Sequence, residues 1–232
     1  MKELPIFEGN VFAGNRLDRA GPRRRDDAWV EALRADPASR FLALRRLEAL
    51  IDATNGAAGI AWLDRAEVAG DLAAGAQSVL LGLEGASAFF AIDVSERPDG
   101  GGAAPPFAGQ GAFQDIRRVA GQVPRADAAM LAQARSMIDW HARHRFCAQC
   151  GQPTRSSADG TVRRCTDNAC DAQHFPRTDP VVIMLVTDGE RCLVGRSGRF
   201  PFKLFAVDMD IGGQRLGDTA DHQRRRIGPR LR

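Results

Sequence analysis

The sequence has no hydrophobic segment long enough to cross a membrane and no apolar signal core at its start. The longest apolar run towards the C-terminal end covers only residues 181–186, whereas a membrane-spanning helix needs about 20 residues. The first ten residues, MKELPIFEGN, lack the hydrophobic core that directs export. We therefore expect a cytoplasmic protein with no membrane partner.

Cysteine is also scarce, with five residues in 232. This count excludes a disulfide-rich secreted scaffold, and in a reducing compartment the thiols serve a metal or the core. The chain is long enough to bury a sizeable core without disulfides. Its length predicts one or two domains of roughly 150 residues each.

A strong basic bias is absent too, although the net charge is +3 and the pI is about 8.8. Residues 202–232 contain seven Lys and Arg and four Asp, so all of the excess positive charge lies there. The preceding 201 residues are electrically neutral. Net charge alone is therefore weak evidence for nucleic-acid binding. The final basic run, residues 223–232, is typical of a disordered tail.

Hydrophobic patterning predicts a β-hairpin in the first half of the chain. Residues 78–83 and 87–94 are apolar runs, and Gly85 supplies the turn between them. Residues 40–51 fit either a helix or a pair of strands, and the pattern does not decide between them.

The clearest helical pattern covers residues 125–145, where Met130, Ala134, Met137, Ile138 and His141 recur on one face. A second hairpin is predicted from residues 181–186 and 192–195, with its turn at Asp188-Gly189.

Four of the five cysteines form two knuckles that are spaced for a metal. Cys147 and Cys150 are three positions apart, Cys165 and Cys170 are five apart, and fourteen residues separate the pairs. Zinc takes four soft ligands in a tetrahedron, and two turns that each present two thiolates supply them. The spacing therefore predicts a structural zinc ribbon, with two disulfides or four unrelated core thiols as the alternatives. Gly151 permits the tight turn after the first pair.

Other candidate ligands are weaker. His141 and His144 precede the first knuckle by less than two helical turns, but His141 lies on the packing face of the predicted helix. Four cysteines already satisfy zinc, so we expect neither histidine to bind it. Cys192 lies in an apolar strand and is expected to fill the core.

The motifs around these cysteines resemble those of one family. They are the Cys147–Cys150 and Cys165–Cys170 knuckles, then HFPRTDPVVIML at residues 174–185, then CLVGR at 192–196, with FQDIRR at 113–118 upstream. Together they are similar to the zinc-ribbon NAD(+) diphosphatases, also called NADH pyrophosphatases, of the Nudix hydrolase superfamily.

The resemblance implies an α+β fold built from successive parts. It places an N-terminal Nudix-like mixed domain at residues 1–122 and a linker helix at 123–146. The zinc ribbon follows at 147–176, and an incomplete C-terminal Nudix domain begins at 177–201. Residues 202–232 depart from the family as an aberrant basic tail.

The resemblance also implies an activity. Such enzymes hydrolyse the pyrophosphate of NADH or NAD+ to a nicotinamide mononucleotide and AMP, and some remove NAD caps from RNA. They work as homodimers with Mg2+ or Mn2+, which neutralise the phosphates and activate a water molecule. The ions are held by glutamates of the Nudix box.

The Nudix box is missing from these 232 residues, since no glutamate follows Glu190. Asp208, Asp210, Asp218 and Asp221 are scattered in an unpatterned stretch and are expected to be solvated charges. No catalytic residue is assigned, and the chain is expected to be inactive by itself. We interpret the departure after about Pro201 as a truncation or frameshift. An alternative function is a zinc-ribbon binding or dimerisation module whose arginine tail binds polyanions.

Three residues carry over from the family as candidate substrate contacts. Phe175, just before Pro176, matches a family aromatic position near the substrate and can stack on a base, or else packs beneath the ribbon. Arg117 or Arg118 lies near the position of a family arginine that faces the substrate phosphates, a task that suits a planar guanidinium. A solvated surface arginine is the competing interpretation.

Overall fold

The computed structural model describes residues 11–53, 58–98, 106–178, 187–188 and 191–192. The chain divides into two compact units, residues 1–177 and 178–232. The first unit contains, in chain order, a 3-10 helix (Gly21–Arg25), α1 (Asp27–Ala35), β1 (Arg40–Arg45), β2 (Glu48–Asp52), β3 (Gly59–Ile60), β4 (Trp62–Leu63), α2 (Ala69–Ala73), β5 (Ser78–Glu84), β6 (Ser87–Asp93), β7 (Ala112–Gln114), α3 (Ile116–Val119), α4 (Arg125–Arg143), β8 (Thr154–Ser156), β9 (Arg163–Cys165) and β10 (Gln173–His174).

Strands β1 to β7 form one sheet in the order β3-β2-β1-β6-β5, with β4 also pairing with β1 and β7 with β2. The β1–β6 pair is parallel and the other pairs are antiparallel. The predicted hairpin is confirmed as β5–β6, and Gly85 lies in its turn with φ of 60°. Strands occur in runs separated by helices, and all pairs but one are antiparallel, which fits the α+β class.

Residues 40–51 form a strand pair rather than a helix. Strands β1 and β2 are antiparallel, and the turn between them places Arg46 and Leu47 at φ of 51° and 69°. The sequence could not decide because β1 is buried on both faces, as four consecutive residues of it show. A strand covered on both sides reads as a continuous apolar run instead of an alternating one.

Alternate residues of the central strands supply two apolar clusters on opposite faces of the sheet. On one face Phe41 and Phe90 stack with centroids 5.3 Å apart and pack with Val30 of α1. On the other face Leu42 and Leu44 belong to the cluster that contains α4 residues. The sheet of the N-terminal domain therefore lies between helical layers.

Helix α4 confirms the helical prediction and also completes this core. Met130, Ala134 and Ile138 are buried against the sheet, and His141 is buried one turn further on. The helix ends at Arg143, and the Trp140 carbonyl in its last turn accepts from the His144 backbone N–H at 3.0 Å and from the His144 ring Nδ1–H at 2.8 Å. The ribbon begins directly after this cap.

Strands β8, β9 and β10 form a separate antiparallel sheet in the order β10-β9-β8. In the second unit, β11 (Thr187–Asp188) pairs antiparallel with β12 (Arg191–Cys192), which agrees with a second hairpin. The predicted turn was wrong at Asp188, because this residue is still paired with Arg191 in the strands. Residues 181–186, 193–195 and 202–232, and the side chain of Cys192, lie outside the described part of the chain. No helix in the described ranges is both long and apolar enough to traverse a bilayer.

Candidate metal centre and its contact with the N-terminal domain

The first knuckle is a tight turn that brings two sulfurs together. The Gly151 N–H donates to the Cys147 carbonyl at 2.9 Å, and the Cys147 N–H donates to the Gln152 carbonyl at 2.7 Å. Gly151 has φ of 79°, in the left-handed region that glycine adopts without steric cost. The predicted role of this glycine is confirmed.

The second knuckle is held by Asp167, which lies between its two cysteines. The Asp167 carboxylate accepts from the Ala169 N–H at 2.9 Å, and its carbonyl accepts from the Cys170 N–H at 3.1 Å. The Asp167 N–H also points at the Cys165 sulfur, 3.4 Å away. A backbone amide directed at a sulfur favours the thiolate that zinc requires.

All four sulfurs lie within 4.8 Å of one another. The Cys147–Cys170 and Cys150–Cys165 sulfur pairs are 3.8 and 3.4 Å apart, and all four cysteines are free. A zinc ion about 2.3 Å from four tetrahedral sulfurs separates them by about 3.8 Å, whereas a disulfide needs about 2.05 Å. The donor set fits zinc with no coordination position left for water, so the metal is structural.

The electrostatics of Cys147 favour a metal ligand. Burial raises its pKa, but backbone N–H groups of Cys150 and Gln149 and the ring of His174 together lower the pKa to about 6. By contrast, burial and neighbouring sulfurs raise the pKa of Cys165 to about 12. A positive ion is therefore needed before all four sulfurs can be thiolates together.

His174 is a contact that the sequence interpretation did not single out. It lies on β10 opposite Arg163, and its Nε2 is 3.3 Å from the Cys147 sulfur. A ring N–H that donates to a ligand sulfur fixes the orientation of that ligand. The sequence feature that could have identified His174 is its position directly before Phe175, just beyond the second knuckle.

Neither His141 nor His144 joins the sulfur cluster, as expected. The His141 Nδ1 accepts from Arg163 Nη1 at 2.9 Å, so its Nε2 carries the proton and donates to the Gly160 carbonyl at 2.7 Å. Burial is the main cause that lowers the His141 pKa to about 4, and Arg163 adds to it. The His144 ring caps α4 instead.

The segment between the knuckles docks on strand β5 of the N-terminal domain. The Leu80 N–H donates to the Asp159 carbonyl at 3.0 Å. Gly160 has φ of 76°, and a Cβ there would lie 2.8 Å from the Ser78 carbonyl oxygen and 2.9 Å from the Val79 Cα. Only glycine permits this approach between two backbones.

Arg24 fastens this contact from the 3-10 helix. It is 9% exposed and donates to the carbonyls of Leu80 at 2.8 Å, Leu81 at 3.2 Å, and Arg19. Its guanidinium lies 3.6 Å from the buried Asp159 carboxylate. Burial lowers the Arg24 pKa, and Asp159 acts in the opposite direction.

A second buried arginine ties the ribbon to α4. Arg163 donates to the Thr154 hydroxyl and carbonyl, each at 2.7 Å, and to His141. The Thr154 hydroxyl in turn donates to the His144 carbonyl at 2.7 Å. Because every member has a partner, the network holds the ribbon and the N-terminal domain together at a defined position.

The candidate substrate residues lie in two places. Phe175 is 58% exposed and lines a cleft beside the ribbon. Arg117 and Arg118 are exposed on α3, which Asp115 caps by accepting from the Arg117 N–H at 2.9 Å. Neither arginine lines the cleft that Phe175 lines. Their assignment to substrate therefore stays a prediction.

Family comparisons match the two parts just described. An NADH pyrophosphatase-like rudimentary NUDIX domain matches residues 38–140, and an NADH pyrophosphatase zinc ribbon domain matches residues 142–175. The chain carries two domains of the zinc-ribbon NADH pyrophosphatase family. The recognition made from the cysteine and HFPRTDP motifs is confirmed, and so is the Nudix-like nature of the N-terminal domain.

Curated relatives agree with the two domain matches. It is 37% identical to human mitochondrial NAD(P)H pyrophosphatase NUDT13 over 106 residues, which are 44% of this chain and 30% of the relative. It is 41% identical to human NAD-capped RNA hydrolase NUDT12 over 92 residues, 36% of this chain and 20% of the relative. It is 38% identical to NAD-capped RNA hydrolase NudC of Stutzerimonas stutzeri over 88 residues, which are 38% of this chain and 31% of the relative. The chain spans less than a third of the length of these relatives.

These 232 residues do not fit the Mg2+ or Mn2+ site that the family resemblance implies. No glutamate follows Glu190. Within the described ranges, the four-cysteine cluster is the only group of three or more His, Cys, Asp or Glu side chains placed to share a metal ion. Hard divalent cations take oxygen ligands, and thiolates do not suit them.

Proposed function

We propose that this chain supplies the N-terminal and zinc-ribbon parts of an NAD(+)/NADH diphosphatase. The full reaction would hydrolyse the dinucleotide pyrophosphate to a nicotinamide mononucleotide and AMP, and NAD-capped RNA is a second substrate of the same class. The observation that carries the proposal is the four-sulfur cluster joined to a Nudix-like domain by a buried polar network.

Phe175 and the arginines of α3 are the proposed substrate contacts. The exposed ring of Phe175 would stack on a base of the dinucleotide, because a flat apolar ring gains from covering another ring in water. Arg117 or Arg118 would bind a phosphate through its guanidinium fork. In this proposal the chain binds the dinucleotide but does not cleave it, because the carboxylates that would hold Mg2+ or Mn2+ are missing.

Two measurements on the purified chain test this proposal. With NADH and Mg2+ we expect no AMP above an EDTA control, whereas AMP release that requires Mg2+ would contradict the inactivity. In a titration that follows NADH fluorescence, we expect Phe175→Ala to weaken binding at least about fivefold and Arg143→Gln, an exposed control, to leave it unchanged. Absence of NADH binding by the unmodified chain would refute the substrate assignment.

The homodimer and the compartment belong to the same proposal. Sedimentation at several concentrations should show a dimer, and a monomer at all concentrations would contradict it. We propose a cytoplasmic location, and the mitochondrial location named for one relative is the alternative. Localisation of a tagged full-length protein decides between the two.

A second candidate function is a zinc-ribbon module that binds polyanions through its arginine tail. It is favoured by the excess positive charge in residues 202–232. Such binding weakens steeply with salt because it releases counterions. Deleting residues 223–232 should weaken RNA binding and lower its dependence on salt, and unchanged binding after the deletion would reject this function.

A further inference from the structure

A cleft of about 670 Å³ separates the 3-10 helix Gly21–Arg25 from the exposed face of the ribbon sheet. We call it the arginine cleft, because Arg25 lines it from the N-terminal domain and Arg155 and Arg164 line it from the ribbon. Phe175 lines it as well, and none of the four zinc cysteines does. The cleft is therefore distinct from the metal centre.

The ribbon side of the arginine cleft is a row of side chains in register across three strands. Arg155 on β8 lies opposite Arg164 on β9, and Arg164 lies opposite Gln173 on β10. Residues directly opposite in a sheet share a face, and two like charges in that position destabilise it. Asp171 offsets this by pairing with both nitrogens of the Arg164 fork, Nε and Nη2.

Arg25 and Arg155 are left as the available cations of the arginine cleft. Both are exposed, and within the described part of the chain neither forms a hydrogen bond or close ion pair with a carboxylate, although Asp171 also attracts Arg155 electrostatically. Of the two acidic residues that line the cleft, Asp159 pairs with Arg24 and Asp27 remains free. An anion would relieve the repulsion between the opposed arginines.

The chemistry of these groups identifies the anion. Guanidinium forks match phosphate oxygens in two-point hydrogen bonds. The exposed Phe175 ring offers a stacking surface for an unpaired base, which is how single-stranded nucleic acids are held. An acidic peptide would satisfy the arginines but would leave this ring in water, whereas a nucleotide strand satisfies both.

We propose that the arginine cleft binds the phosphodiester backbone of single-stranded RNA that runs from Phe175 towards Arg25 and Arg155. The direction rests on the proposed function, in which the base of an NAD cap lies at Phe175. The RNA contact itself does not depend on the cap. Residues 1–201 have no net charge, but this does not oppose RNA binding, because binding depends on the arginines that line the cleft.

The test measures binding of an uncapped, fluorescein-labelled oligouridine of about ten nucleotides to the full chain by anisotropy. The variant pair Arg25→Gln with Arg155→Gln is compared with the pair Arg125→Gln with Arg143→Gln. The control pair removes the same charge from exposed positions outside the cleft. All proteins retain residues 223–232, so any contribution of the basic tail is the same in each.

We expect the cleft pair to weaken RNA binding at least about tenfold and the control pair less than about threefold. The slope of affinity against salt should fall by about 1.4, since each phosphate contact in a single strand contributes about 0.7. A third pair, Arg25→Lys with Arg155→Lys, keeps the charge and should restore most of the affinity. This pair separates a lost contact from a misfolded ribbon.

Three results would overturn the proposal: no RNA binding by the unmodified chain, equal weakening by the cleft and control pairs, or competition by polyglutamate as effective as by unlabelled RNA. NADH hydrolysis and NADH binding do not enter any of these measurements. Failure of the diphosphatase assignment would therefore leave the RNA result intact, and failure of the RNA result would leave the assignment intact.

Discussion

The N-terminal domain and the zinc ribbon are stabilised by different kinds of interaction. The largest fully buried side chains of the domain are apolar, among them Phe41, Phe90 and Leu80. The buried residues of the ribbon include two metal-ligand cysteines and the polar Thr154 and Arg163. The domain therefore relies on burial of apolar surface, and the ribbon relies on metal ligation and hydrogen bonds.

The junction between the N-terminal domain and the ribbon is polar, like the ribbon and unlike the apolar core of the domain. It includes the buried polar groups of Arg24, Asp159, His141 and Arg163, and Ala158 packs on the apolar cluster that contains Phe90. Such a polar junction is stable only while every buried group is satisfied. We therefore expect the N-terminal domain to stay folded when the ribbon unfolds. We do not expect the ribbon to stay folded without the domain.

Removal of zinc is the largest change that this comparison predicts. Chelation, or Cys165→Ser, should unfold the ribbon outright, because small zinc-bound units draw most of their folding energy from the metal. Hydrogen exchange should speed up at the Leu80 amide, whose acceptor is Asp159, while amides of the β1–β6 ladder stay protected. Cys192→Ser, which changes the fifth cysteine, is the control. Simultaneous loss of protection throughout the domain would show that the domain does not stay folded without the ribbon.

Arg24→Met tests the junction from the side of the domain. It removes the cation beside the buried Asp159 carboxylate, which keeps the donors of Ser157 and Thr161, and it removes donors from the Leu80 and Leu81 carbonyls. The free energy of unfolding should therefore fall by about 2–4 kcal/mol. Thermal or urea unfolding measures it. Arg25→Met, at the exposed neighbouring position, should change stability by less than about 0.5 kcal/mol. Equal effects of the two variants would show that the Arg24–Asp159 pair is not specifically needed.

Gly160→Ala tests how closely the two backbones must approach. The added Cβ would meet the backbone of Ser78 and Val79 at 2.8–2.9 Å, and residue 160 also has a positive φ. Gly75→Ala separates the two causes, since Gly75 has φ of 81° with nothing within 4 Å of an added Cβ. We expect a loss of about 1 kcal/mol at Gly75 and about 2–3 kcal/mol at Gly160. Similar melting temperatures for the two variants would contradict the close approach.

The sequence predicted the ribbon well because its determinants are local. Cys147 and Cys150 lie within one turn, and ligand spacing is a property of short segments. The β5–β6 hairpin was predictable for the same reason. Strands β1 and β2 were not assigned, because burial on both faces removes the alternation that marks a strand.

The junction could not be predicted because its residues are distant in sequence and polar. Arg24 and Asp159 are 135 positions apart, and neither fits a pattern that places apolar side chains inside. In the sequence, the arginine run that contains Arg24 resembles an ordinary solvated stretch. Only the fold shows that Arg24 is buried while Arg25 is exposed.

The last prediction concerns pH and His141. Burial holds its pKa at about 4, below the usual 6.5, so the folded protein keeps the ring neutral while the unfolded chain protonates it. Its contribution to stability is complete above about pH 6.5 and is lost as the pH falls towards 4, by at most about 1.4 kcal/mol per pH unit. His141→Gln keeps a polar side chain but cannot gain this proton. The stability difference between the two proteins should therefore shrink from pH 7 to pH 4.5 in urea unfolding, and a constant difference would show that His141 does not titrate in this range.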